Sequence, residues 1–222
     1  MSDEIANHLD GERLELPRSP RPETTWRLDI EEVSMKGLGV ASIPALVGPQ
    51  REPKNFEFHV RKAVPGDVVD VEVERRRGDR IEARLEALVE PSSMRIEPRC
   101  KHFGRRELDG EGCGGCTFQS LSYRHQLAIK ERSIKSAMRE HDLDPGRVRP
   151  VRGCDEPWHY RNKMEFSFGD TADRDFALGM YPTGYKYEIL NLDECHLQSE
   201  FTSDLIPRIR EWAIEHGLEP YI

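Results

Sequence analysis

The sequence predicts an α+β protein, a small antiparallel β-barrel followed by a compact α+β unit. Two patterns predict it: segments with apolar residues at every second position up to about residue 90, and helical stripes around a cysteine-rich turn beyond it. With 222 residues and an apolar fraction of 36%, two modest cores are within reach.

Residues 1–24 mix charge with Pro17, Pro20 and Pro22 and show no apolar period, so a flexible acidic tail is expected there. Order begins near Trp26. Leu28, Ile30 and Val33 lead into Gly37-Leu38-Gly39, a turn without the strand, helix and acidic residue that a cofactor-binding glycine loop requires. Phe56, Phe58 and Val60 alternate, as do Val69, Val71 and Val73, and then Ile81, Ala83 and Leu85. Pro65-Gly66-Asp67 and Arg77-Gly78-Asp79 supply the turns between them. Five such strands can close into an oligonucleotide-binding (OB-like) barrel over residues 25–90, which removes most exposed edges. Pro91 and Pro98 mark a boundary before a second unit, 91–222.

In that unit a helix is expected over 122–141, with Tyr123, Leu127, Ile134 and Met138 on one stripe and Pro145-Gly146 as its stop. Met164, Phe166 and Phe168 alternate in a strand candidate over 160–168. Residues 178–181 and 187–192 are two more, and a final helix over 203–216 ends at Gly217.

No apolar run approaches the roughly 18 residues that cross a bilayer, and Met1 to Asp10 lacks the regions of a secretory signal, so a cytoplasmic protein without a membrane partner is expected. In that reducing compartment five cysteines read as metal ligands or reactive thiols rather than disulfides. The formal charge of −8 is unevenly spread: residues 1–32 hold nine acids and four arginines, whereas residues 75–106 hold ten bases and five acids. That asymmetry is compatible with a basic face on an acidic protein, and equally with an ordinary solvated surface.

Cys113-Gly-Gly-Cys116 is the sharpest motif. Two thiolates at i and i+3 in a glycine turn can face one metal, and Cys100 and Cys195 complete four sulfurs. Four thiolates satisfy either a tetrahedral zinc or a [4Fe-4S] cluster, so ligand number leaves both open. Cys154, beside Asp155, has no partner in the pattern. His102 and His196 each neighbour a cysteine and are expected behind the sulfurs or on the surface.

Four ordered segments, Cys100-Lys-His-Phe-Gly, the run from Cys113-Gly-Gly-Cys-Thr-Phe-Gln, Tyr160-Arg-Asn-Lys-Met-Glu-Phe and Asp193-Glu-Cys-His-Leu, resemble the iron-sulfur RNA uracil-5-methyltransferases. Gly37-Leu-Gly39 and Val64-Pro-Gly-Asp67 are similar to the TRAM domain of that family, an RNA-binding barrel. The resemblance implies a [4Fe-4S] cluster on Cys100, Cys113, Cys116 and Cys195, and a grip on ribosomal or transfer RNA. The twelve residues between Cys100 and Cys113 exceed the usual spacing, as if a charged loop were inserted.

In the family an S-adenosylmethionine-binding Rossmann domain follows and supplies nucleophile and base, and nothing in these residues replaces it. The chain therefore reads as the substrate-recognition half, with catalysis on a separate methyltransferase domain or subunit. The helix over 122–141 is expected to dock on that domain, leaving Leu127, Ile134 and Met138 accessible, joined by Leu205, Ile209 and Trp212. For RNA contact the candidates are Arg75, Arg76, Arg77 and Arg80 at the barrel hairpin, and Arg161 and Lys163 beside Phe166 and Phe168, whose alternation equally fits a core. A non-catalytic zinc-binding RNA adaptor is the alternative.

Overall fold

A computed structural model describes residues 16–106, 108, 110–173 and 175–220. The first region is built from β1 (Thr25–Asp29), β2 (Glu32–Val33), β3 (Gly39–Val47), β4 (Glu52–Val60), β5 (Val68–Arg77) and β6 (Arg80–Glu90). They form one sheet in the order β1-β5-β6-β4-β3-β2. Because β1 and β2 are consecutive in the chain, the two ends of this sheet are joined. Ile30 N–H donates to Asp67 O at 2.8 Å on one side, and Glu31 N–H donates to Val40 O at 2.9 Å on the other. The sheet thus closes on itself.

The alternating residues account for the closure. Phe58 stands opposite Ala41 on β3 and Ile81 on β6, Val73 opposite Ala83, and Leu28 opposite Val69. All seven are buried and belong to one core cluster, as does Phe56. One expectation needs correcting: β4 and β6 run parallel, so the sheet is mixed rather than antiparallel. The β5–β6 hairpin brings β6 alongside β4 in the same direction, with Phe58 opposite Ile81. The expected tail also needs correction over its described part. Leu46 N–H donates to Pro17 O, Ser19 N–H to Leu46 O and Glu23 N–H to Val73 O, which pins residues 17–23 along the barrel. Residues 1–15 lie outside the described residues.

The segment after β6 is clamped rather than a free linker. The Asp67 carboxylate, completely buried, accepts from Val64 N–H at 2.8 Å, Ser92 N–H at 2.9 Å, and Arg95 Nε and Nη2 at 2.7 and 2.6 Å. Gly66 makes the turn possible, with φ at 86°, and a Cβ there would stand 2.9 Å from Ser92 Oγ.

Beyond it come α1 (Tyr123–Glu140), a 3₁₀ turn at Pro145–Arg147, β7 (Ser167–Asp170), β8 (Phe176–Met180), β9 (Leu190–Asn191) and α2 (Glu200–Glu215). Strands β7, β8 and β9 form a small antiparallel sheet, and α2 packs on β8. Ser122 and Ser199 cap the two helices, accepting from His125 N–H and Thr202 N–H. The strand expected over 160–168 is mostly irregular, because His159 and Arg161 direct their N–H groups to His196 O and Leu197 O instead of a sheet ladder.

On α1 the buried residue is Ile129, outside the expected stripe. It packs with Val33, Val64 and Leu121 where barrel and second region meet. Of the stripe, Ile134 is exposed while Leu127 and Met138 are half-buried. The 151–154 segment covers part of it: Cys154 N–H donates to Tyr123 OH, and a Cβ on Gly153 would touch Leu127 at 3.1 Å. On α2, Ile209 and Trp212 are exposed and Leu205 is half-buried.

Candidate metal centre

The chain brings its two cysteine segments together by stitching their neighbours. Lys101 Nζ pairs with Asp193 at 2.9 Å and its N–H donates to Glu194, while Arg210 of α2 holds the other Asp193 oxygen at 3.1 Å. The Lys101 ammonium, with Arg210 behind it, holds the Asp193 carboxyl below its ordinary value. His102, almost fully buried, accepts at Nε2 from Asp193 N–H, so its Nδ1–H faces Glu111 at 2.6 Å. These contacts span more than ninety residues of sequence and set Cys195 beside the turn that carries Cys113 and Cys116.

Gly114 lets that turn pass close to the 181–183 segment that follows β8. Its N–H donates to Tyr181 O at 3.1 Å, and a Cβ would stand 2.7 Å from the same oxygen. Gly115 N–H points at Cys113 Sγ at 3.4 Å. The side chain of Gln119 bridges two cysteines, accepting from Cys100 N–H at 3.1 Å and donating to Cys116 Sγ at 3.2 Å. Cys195 N–H is held by Ser203 Oγ at 2.8 Å. The barrel contributes Lys62, whose ammonium donates to Cys113 O at 2.9 Å and lies 4.2 Å from the centre of the Phe103 ring.

Burial pushes the Cys100 thiol up to about 11, and the nearby Cys113 sulfur adds to the effect. Burial raises Cys113 and Cys116 as well. Each also feels Cys195, against the pull of Lys62 and, at Cys116, of Gln119 and Arg161. Cys100 thus neighbours Cys113, and Cys113 and Cys116 neighbour Cys195. Among the described residues, no group of three or more His, Cys, Asp or Glu side chains stands in metal-ligating geometry. Cys113 and Cys116 each receive an N–H donor at sulfur, and the Lys62 ammonium stands at the Cys113 carbonyl, an environment that favours the thiolate form once a metal is bound. Cys154 is exposed and stands apart, its thiol against Glu156 O.

The expected RNA-binding residues divide. Arg75 and Arg77 are exposed on the β5–β6 hairpin, without a side-chain partner among the described residues. Arg76 instead caps the barrel, lying 4.6 Å from the Phe56 ring and donating to Pro20 O and Gly78 O, and Arg80 turns toward His59. Lys163 pairs with Glu165 on the surface at 2.9 Å. Arg161 is half-buried and lines a cleft with Cys116, a cleft whose other walls sequence reading missed. Phe166 packs into the second core while Phe168 is exposed against Phe176. The interleaved Trp158-His-Tyr-Arg161 run was the available signal for that cleft.

No protein-family model matches the chain. It is 34% identical over 173 residues to an uncharacterized RNA methyltransferase of Chlorobaculum tepidum, covering 71% of this chain and 34% of the relative. A second such relative, from Clostridium tetani, is 30% identical over 197 residues, covering 88% of this chain and 40% of the relative. The chain belongs to the RNA methyltransferase family. Among solved structures it is similar to the tRNA (uracil-54, C5)-methyltransferase of Pyrococcus abyssi in complex with S-adenosyl-L-homocysteine. That likeness has a TM-score of 0.54 at 22% identity and covers 88% of this chain and 38% of that one. The RNA methyltransferase family expected from the sequence is thereby borne out, and the likeness to the uracil-C5 enzyme is one of fold. The chain spans roughly a third to two fifths of the length of the relatives it matches, 34 to 40%. No described helix is long and apolar enough to cross a membrane.

Proposed function

We propose that the chain is the RNA-recognition and [4Fe-4S]-binding part of an S-adenosylmethionine-dependent RNA (uracil-5-)-methyltransferase acting in the cytoplasm on ribosomal or transfer RNA. Residues 25–90 form its TRAM barrel, of OB-like topology, and residues 91–222 its cluster domain. Cys100, Cys113, Cys116 and Cys195 hold the cluster, and the methyltransferase domain that binds S-adenosylmethionine is a separate part, on which the exposed side of α1 and α2 docks. What supports this reading is that Cys113 and Cys195, distant in sequence, pack into one core while Gln119 links Cys100 N–H to Cys116 Sγ, in a member of this family.

Each part has a role in this reading. Cys100, Cys113, Cys116 and Cys195 would hold the cluster, which would tie the 100–116 segment to the segment around Cys195. Lys62 and Gln119 orient the cysteine turn, and His102 and Asp193 fix the two segments to each other. Arg75 and Arg77 meet phosphates from the barrel side. Anaerobic purification and metal analysis test it: brown protein with about four irons per chain is expected. Colourless protein with about one zinc would replace the cluster with the zinc-binding adaptor.

A further inference from the structure

The geometry points to the cleft beside Cys116 as a binding site for one unpaired RNA nucleotide, with its base stacked on Trp158 and Tyr160 and its phosphate met by Arg99, Lys130 and Arg161. The cleft holds about 620 Å³, between residues 96–99, the loop after Cys116 and the 154–161 segment. That lies within the roughly 300–1,000 Å³ of ligand sites. Phe118 and Tyr123 complete its aromatic lining. Tyr160 is 59% exposed, and its hydroxyl has no partner among the described residues. The Arg99 guanidinium lies 5.2 Å from the Trp158 ring centre, so the aromatic wall of the cleft already has a cation beside it.

Charge separates this cleft from its neighbour. Between barrel and second region lies a cleft lined by Arg61, Arg84 and Arg106, but each of these is paired with a carboxylate. Beside Cys116 the three cations form no ion pair among the described residues, and Glu97 is the one carboxylate in the lining. Unneutralised cations around exposed rings match an anionic ligand with a flat, apolar face. In RNA that ligand is a nucleotide out of its stack, because paired bases do not offer their faces.

This inference rests on the reading of the chain as RNA-binding, and it assigns that binding a place. Cys154, exposed and on the cleft wall, is a reporter separate from methyl transfer. The test uses the whole chain with two probes, a short oligouridine and a blunt-ended RNA duplex of equal charge, and follows maleimide labelling of Cys154. Oligouridine should slow labelling and the duplex should not. Tyr160→Ala should weaken oligouridine binding about tenfold. Arg99→Met should lower the slope of log affinity against log salt by about one. An unchanged unfolding midpoint shows that each variant still folds. Oligouridine that binds Tyr160→Ala as tightly as the parent, or leaves Cys154 fully reactive, overturns the site while leaving RNA binding intact. Equal protection by the duplex overturns the selectivity for an unpaired nucleotide, and failure of both RNAs to bind overturns the underlying reading.

Discussion

Replacing Asp67 by alanine should destabilise the protein by about 3–5 kcal/mol. The carboxylate is fully buried and receives four donors, two from Arg95 and one each from the Val64 and Ser92 amides. Alanine leaves both amides without a partner, at roughly 1–3 kcal/mol each before relaxation. It also strands the Arg95 guanidinium, whose side chain is only 14% exposed. Breaking one partner of such a buried pair costs about 3–5 kcal/mol, and the terms overlap because Arg95 keeps its bond to Lys62 O. The assay is urea unfolding followed by intrinsic fluorescence, since Trp26 reports on the barrel and Trp158 and Trp212 on the second region. Asp67→Asn should lose less, and adding Arg95→Met to Asp67→Ala should recover part of the loss. A change below about 1 kcal/mol for Asp67→Ala would show that the turn does not hold the two regions together.

If the four sulfurs hold a cluster, Cys113→Ser or Cys195→Ser should lose iron, while Cys154→Ser should retain it; full iron in Cys195→Ser would remove that residue from the site. At the hairpin, Arg75→Ala and Arg77→Ala should weaken RNA binding and its salt dependence with little effect on stability, whereas Arg76→Ala should lower stability by about 1–2 kcal/mol, by losing its contact with Phe56 and two backbone acceptors. Salt-dependent affinities and unfolding curves for the three variants separate these outcomes. Given S-adenosylmethionine and unmodified RNA, the chain by itself should transfer no methyl group, and label incorporation above background would contradict that.

The barrel strands were legible because a half-buried strand repeats every second residue, and Phe56, Phe58, Val69, Val71 and Ile81 all point inward as that period demands. The parallel β4–β6 pair was not legible, since pairing partners follow from closure of the whole sheet and leave no local pattern. Both helices were placed within a few residues by their helical patterning and stop signals, yet the Ser199 cap of α2 and the buried stripe on α1 were not. Ile129 faces the barrel junction, and the 151–154 segment, which crosses Tyr123 and Leu127, carries no periodicity that would announce it. The period of 160–168 misled for a related reason: the amides of His159 and Arg161 found carbonyls near Cys195, a long-range choice that overrode local alternation. Cys113 and Cys116 were legible as a pair because their spacing in a glycine turn is chemical. Gln119 and Lys62, which orient them, carry no such mark.

The barrel is not a portable module. Lys62 reaches from it to the carbonyl of Cys113, and the Gly37 turn sits so close to Thr117 that a Cβ there would stand 2.6 Å from its methyl. Val33 and Val64 are covered by Leu121 and Ile129. Excised alone, residues 25–90 would present to water two valines, a lysine shaped to a missing partner and an aspartate without its arginine. Gene shuffling that transplanted this barrel would have to carry the residue 92–129 segment with it.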